Sequence, residues 1–133
     1  MPLFTTPNAK INALDLSMLL TKSTDADSGY GWSREDAAEI SELYRAFLFL
    51  CASYPNEIIV PPREVDDLWH LHILDTRKYI ADCDFIFGAY LHHYPYAGLS
   101  LSNVESSQEA EHKERTLALM QKHFPELIGE HAT

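Results

Sequence analysis

The chain has 133 residues, which suits one domain, and its hydrophobic fraction of 46% is sufficient for a core. Its formal net charge is -10, and its ten lysines and arginines are scattered. Because nucleic acids and anionic membranes bind basic surfaces, this composition predicts that neither is a partner. No apolar stretch approaches the roughly 18 residues that a membrane-spanning helix needs.

Cysteine usage and the N-terminal sequence favour a cytoplasmic protein. Cys51 and Cys83 are too few for a disulfide framework, and we interpret both as reduced thiols. The N-terminal sequence MPLFTTPNAKINALD lacks the basic start and apolar run of a secretory signal. Residues 1–10 contain two prolines and are predicted to form an extended lead-in.

Apolar residues at helical spacing predict two helices in the first half of the chain. The first covers Ile11–Lys22, and a loop rich in Ser, Asp and Gly follows at 23–32. Ser33 is a typical N-cap for the second, Arg34–Ser53, which has the strongest apolar stripe. The stripe consists of Ile40, Leu43, Tyr44, Phe47, Leu48 and Cys51. Residues 57–60 are predicted to be an extended connector, since they have no partner strand.

A third helix is predicted to begin at Pro62, whose missing N–H costs nothing in a first helical turn. We expect this helix to continue to about Asp82. Gly88 permits a tight turn, so the chain can reverse there. A short helical piece is predicted around Phe85–His92, followed by a loop, YPYAG, at 94–98.

The C-terminal part of the chain predicts a last helix over 103–123. Its first half is polar and its second half is apolar, so we expect the second half to dock on the core. Residues 125–133 are predicted to be a ragged end. Together these elements predict an all-α fold: a compact bundle of four to five helices that forms a single domain over residues 1–133.

The candidate site lies in residues 60–95, which hold four of the seven histidines and a Trp-His-x-His run. Asp66 and His70 are four residues apart, so they share one helical face and can converge on one ion. His72 lies about 200° around the helix from His70. In a regular helix His70 and His72 therefore point to opposite sides.

A third ligand is available from the chain after Gly88. If the chain reverses there, His93 can return beside Asp66 and His70. This would give a two-His, one-carboxylate set for a divalent transition metal, zinc or iron. On a continuous helix Cys83 would lie about 20 Å from His70 and about 16 Å from His72, which excludes it from this site and from a Cys-His dyad.

Catalytic roles are predicted for His72 and Tyr79. His72 would be an acid–base group, a residue that orients a ligand, or a fourth ligand if the helix is irregular. Tyr79, with Trp69, would shape the pocket. The alternative is structural: His70 and His72 can each be hydrogen-bonded histidines of a core, as isolated histidines often are.

The motif resembles that of a known family. The residues that carry the resemblance are Val60, Pro61, Val65, Asp66, Trp69, His70, His72, Tyr79, Asp82, Cys83, Phe87, Gly88, Leu91 and His93. Their spacing is similar to that of the glycine-rich domain-containing protein-like family and covers about a third of the chain. The resemblance implies a compact helical domain whose motif positions are Asp66, Trp69, His70, His72, Tyr79, Cys83, Gly88 and His93. The chain departs from the family in having five glycines and no Gly-rich tail.

Two functional hypotheses follow. The first is a small metal-binding domain, a metal-dependent enzyme that acts on a small molecule or a protein through Asp66, His70 and His93. The second is a protein-interaction module in which the His, Trp and Tyr residues of the motif form a structural core. Stoichiometric metal in the purified protein would separate the first from the second.

Overall fold

The computed structural model describes residues 5–94 and 103–127, and of 103–107 only the backbone. It has six principal helices: α1 Ala9–Asn12, α2 Ser17–Thr24, α3 Arg34–Ser53, α4 Arg63–Leu74, α5 Thr76–Phe87 and α6 Asn103–His123. No described residue lies in a strand, so the prediction of a compact all-α domain is confirmed. Residues 1–4, 95–102 and 128–133, which include most of the predicted YPYAG loop, lie outside the described residues.

Helix α3 is the centre of the packing. It begins at its predicted cap, where Oγ of Ser33 accepts a hydrogen bond from the N–H of Asp36 at 3.0 Å. Its predicted stripe is confirmed: Ile40, Tyr44, Phe47 and Leu48 are buried, and Leu43 and Cys51 pack against them. Helices α1, α2, α4 and α6 all contact α3. One core therefore holds the bundle together.

The prediction of a single helix over Ile11–Lys22 is wrong, because residues 13–16 are non-helical and separate α1 from α2. Local side-chain bonds compete with the helix here. Oδ1 of Asp15 accepts hydrogen bonds from the backbone N–H and the hydroxyl of Ser17, the first residue of α2. The Arg45 guanidinium donates to two backbone carbonyls of this region, which a continuous helix would use itself.

The predicted third helix is also broken. It ends at Asp75 rather than at Asp82, and Asp75 caps both α4 and α5 with φ -83° and ψ 73°. Helix α5 then folds back on α4. Two side-chain hydrogen bonds join residues ten apart, His72 to Asp82 at 2.8 Å and Trp69 to Tyr79 at 2.9 Å. A continuous helix would separate such residues by about 15 Å.

Gly88 ends α5 in the left-handed conformation, with φ 70°. A side chain is strained at such a φ, so glycine suits this position. The predicted helical piece Phe85–His92 is wrong beyond Phe87, because residues 89–94 are non-helical. We call residues 89–94 the returning segment, since they run back to α4 and α5.

The C-terminal half of α6 docks on the core, as predicted. Leu119 and Phe124 are buried, and the Phe124 ring meets that of Phe49 edge to face at 5.3 Å. The N–H of Val60, in the extended connector, donates to the Thr116 hydroxyl at 2.9 Å. Within the described part of the chain, no helix has the length and apolarity that crossing a membrane requires.

Candidate metal centre

Helix α4 places Asp66 and His70 one turn apart on its outer face. Val65 and Leu68 face the core and are fully buried, which fixes the orientation of the helix. The side chains of Asp66 and His70 remain 32% and 45% exposed, and Asp66 Oδ2 lies 3.2 Å from His70 Nε2. The i, i+4 spacing thus brings a carboxylate and an imidazole together at the surface.

His93, in the returning segment, completes the cluster. Its Nε2 lies 2.7 Å from Asp66 Oδ1 and 2.9 Å from His70 Nε2. Its side chain is only 15% exposed, because the ring packs against Trp69 with 4.3 Å between centroids. The structure therefore brings together the three residues that the sequence predicts as ligands, and it places their ligand atoms within 4.8 Å of one another.

With Asp66 as a carboxylate, protons on the two rings cannot make all three contacts in this cluster attractive. A ring nitrogen of a neutral imidazole has either a proton or a lone pair. If His93 donates to Asp66, then His70 and Asp66 face each other as two acceptors across 3.2 Å. If both rings are protonated, two positive N–H groups meet across 2.9 Å. A cation among these groups would instead attract the carboxylate and the lone pairs of both ring nitrogens.

The donor atoms limit the kind of ion. His93 lies against Oδ1 of Asp66 and His70 against Oδ2, so the carboxylate presents a different oxygen to each ring. Two histidines and a carboxylate are the ligand set of non-haem iron sites, and zinc accepts the same donors. With three protein residues as ligands, an ion would keep positions for water or another oxygen ligand.

Tyr79 supports the returning segment. Its hydroxyl accepts a hydrogen bond from the Trp69 indole N–H at 2.9 Å and donates to the Leu91 carbonyl at 2.5 Å. Burial raises the pKa of Tyr79 above its usual range, so the hydroxyl keeps its proton. The catalytic role predicted for Tyr79 stays a prediction, and the contacts link it to Leu91 and Trp69.

His72 lies on the opposite side of α4 and is 1% exposed. Its Nε2 donates to the Asp82 carboxylate at 2.8 Å, and its Nδ1 accepts from the Tyr44 hydroxyl at 2.6 Å. Burial lowers the pKa of His72, and the bond to Asp82 offsets part of that effect. The structure does not bring His72 into the cluster, and its catalytic role stays a prediction.

The sequence model of the UCP032817-like family matches residues 9–122, which is most of the chain. The chain belongs to the UCP032817-like family. This family is uncharacterised, so membership assigns no activity. No curated protein and no solved structure matches the chain. All three residues of the cluster lie inside the matched range.

The family match corrects the resemblance to the glycine-rich domain-containing protein-like family. That assignment is wrong, because the match over residues 9–122 is to the UCP032817-like family and to no glycine-rich domain family. The resemblance rested on a spaced motif in about a third of the chain, which is a weaker basis than a match over residues 9–122. The candidate site now rests on its geometry.

Two residues around His72, Tyr44 and Asp82, have contacts that the sequence analysis missed. Tyr44 was assigned only to the apolar stripe, and its partner His72 is 28 residues away in the chain. Asp82 is bonded to His72 and also to Lys78, at 3.1 Å. The one feature of the sequence that could have indicated these contacts is a charged residue, Asp82, beside an apolar helix face.

Both cysteines pack against the core, and burial raises the pKa of both thiols. The exclusion of Cys83 by distance is wrong in its premise of a continuous helix, because the chain breaks at Asp75. Burial instead raises the pKa of the Cys83 thiol, which a hydrogen bond from the Leu91 backbone partly offsets. Burial raises the pKa of Cys51 to about 12. Neither thiol has the lowered pKa of a nucleophile.

Proposed function

We propose that this chain binds a divalent transition metal through Asp66, His70 and His93. The observation that carries the proposal is the convergence of one carboxylate and two imidazole nitrogens at 2.7, 2.9 and 3.2 Å. With Asp66 ionised, protons on the two imidazoles cannot make all three contacts attractive, whereas a cation would be attracted to the carboxylate and to the lone pairs of both rings. Imidazole and carboxylate are ligands that zinc and iron both accept.

The same geometry supports a metal-dependent enzyme. Three protein ligands on one side leave coordination positions free on the other, as in catalytic rather than structural metal sites. His70 is 45% exposed, so those positions face solvent. The ion would act as a Lewis acid on an oxygen atom of the substrate or on a bound water. Iron or zinc fits the ligand set.

Elemental analysis tests the proposal. The full chain is produced without a histidine tag in medium supplemented with zinc and iron, and its metal content is measured. We expect about one equivalent per chain, lost in His70→Ala, because three ligands bind far more tightly than two. His92→Ala is the matched control, since His92 is exposed and lies outside the cluster. Wild-type protein without metal would overturn the proposal.

The second candidate is the protein-interaction module, and the contacts of His72 favour it. Both ring nitrogens of His72 are bonded to protein, and the ring also meets that of Tyr79 edge to face at 4.9 Å. Hydrogen bonding and packing within the core therefore account for His72, the second histidine of the Trp-His-x-His run. This candidate predicts that a chelator leaves the melting curve unchanged, whereas a ligand of the folded state raises its stability.

A further inference from the structure

The returning segment has few residues that could hold it by burial. His92 is exposed, Tyr90 and Tyr94 are 44% and 69% exposed, and Leu91 is half-buried. Yet this segment supplies His93, the one ligand that does not lie on α4. A ligand in a non-helical segment needs contacts that fix its position, because a metal centre tolerates little displacement.

Tyr79 provides such a contact. Its hydroxyl donates to the carbonyl of Leu91, two residues before His93, and its ring meets that of Tyr90 edge to face at 5.2 Å. The same hydroxyl accepts from Trp69, whose ring packs on His93. One hydroxyl therefore joins the backbone of the returning segment to the ring against which His93 packs.

We propose that Tyr79 is the positioning residue of the metal centre, because it holds the Leu91 carbonyl and the Trp69 ring in the places that orient His93. Tyr79 does not touch the ion or its ligand atoms. It affects the affinity for the metal only by orienting His93. This inference rests on the proposed metal-binding function, and it departs from a direct catalytic role, since the proton of the hydroxyl is committed to Leu91.

The test compares Tyr79→Phe with Tyr44→Phe. Each variant removes one buried, hydrogen-bonded hydroxyl. The Tyr79 hydroxyl is bonded to Leu91, beside the cluster, whereas the Tyr44 hydroxyl is bonded to His72, on the other side of α4. Co²⁺ is titrated into each full-length, untagged, metal-free protein, with affinity and the visible absorption spectrum as readouts. We expect Tyr79→Phe to weaken Co²⁺ binding about 10- to 100-fold and to alter the spectrum. Tyr44→Phe should change affinity by less than about 2-fold.

A double-variant cycle separates positioning from general loss of stability. If Tyr79 acts through His93, adding Tyr79→Phe to His93→Ala should weaken Co²⁺ binding no further. Wild-type affinity in Tyr79→Phe would overturn the inference, as would equal losses in Tyr79→Phe and Tyr44→Phe. Failure of the wild-type protein to bind Co²⁺ would instead overturn the metal-binding function itself.

A second variant keeps the test decisive if Tyr79→Phe does not fold. Trp69→Phe keeps an aromatic ring beside His93 but removes the N–H that orients the Tyr79 hydroxyl. We expect it to weaken Co²⁺ binding in the same direction by a smaller factor, about 3- to 10-fold. Unchanged affinity in Trp69→Phe would contradict the inference.

Discussion

Tyr44 donates its hydroxyl proton to Nδ1 of His72 across 2.6 Å, and this bond joins α3 to the buried side of α4. Because the Asp82 carboxylate can only accept, the proton of the neutral ring lies on Nε2, and Nδ1 is left to accept from Tyr44. The two histidines of the Trp-His-x-His run therefore have different surroundings. His72 is bonded within the core, while His70 is exposed beside Asp66.

Removal of the Tyr44 hydroxyl should destabilise the fold. In Tyr44→Phe, Nδ1 of His72 would be buried without a donor, which costs about 1–3 kcal/mol of unfolding free energy. Urea denaturation followed by circular dichroism measures this loss. The exposed hydroxyl of Ser41, which donates to the Ala38 carbonyl, is the control, and Ser41→Ala should change stability by less than about 0.5 kcal/mol. Equal stability of Tyr44→Phe and wild type would show that the bond contributes little.

The cysteines should be unreactive in the folded chain. Burial raises the pKa of Cys51 to about 12, so only about one thiol in ten thousand is a thiolate at pH 8. The pKa of Cys83 is also raised by burial. Iodoacetamide at pH 8 should leave both unmodified over minutes in native protein and modify both in denaturant, as read by mass spectrometry. Rapid native labelling of either would contradict the packing of that thiol against the core.

Gly88 should tolerate asparagine better than alanine. A Cβ at this position would meet no atom within 4 Å, so the cost of a substitution comes from the left-handed φ of 70° alone. We expect Gly88→Ala to lose about 1–2 kcal/mol of unfolding free energy, and Gly88→Asn to lose less. Urea denaturation of the two variants gives the comparison. If Gly88→Ala were as stable as the wild-type protein, α5 would not end in the left-handed conformation.

The cluster could be predicted from the sequence because its residues are related by helical spacing and by one nearby turn. Asp66 and His70 share a face in any regular helix, and Gly88 permits the turn that returns His93. The same periodicity placed His70 and His72 on opposite sides of α4, which their exposures of 45% and 2% bear out. These inferences needed no knowledge of how the helices pack.

The break at Asp75 could not be predicted from the same rules. A single aspartate inside an amphipathic pattern lowers helix propensity only slightly, and no proline or glycine marks the position. Its consequence is tertiary: α5 folds back, so that Asp82 reaches His72 and Tyr79 reaches Trp69. Contacts between residues distant in the chain, such as Tyr44 with His72, likewise have no local signal.

Metal should stabilise the folded chain through the cluster. At a free metal concentration of 100 times Kd, a ligand that binds only the folded state adds about 2.7 kcal/mol to its stability. Thermal melting with metal and with a chelator should therefore differ in wild type and coincide in Asp66→Asn, which removes the charge of the one carboxylate ligand. If a chelator still lowers the melting temperature of Asp66→Asn, the metal binds at another site.

X-ray absorption spectroscopy of the metal-loaded, untagged chain tests the central claim most directly, because it reports the ligands of the ion. We predict that the nearest neighbours of the ion are nitrogen and oxygen atoms at about 2.0–2.2 Å, with outer scattering from two imidazole rings. Replacement of His93 by alanine should remove one ring from that signal or abolish binding. Sulfur at about 2.3 Å, or an ion with no imidazole ligand, would contradict the assignment of Asp66, His70 and His93 as a metal centre.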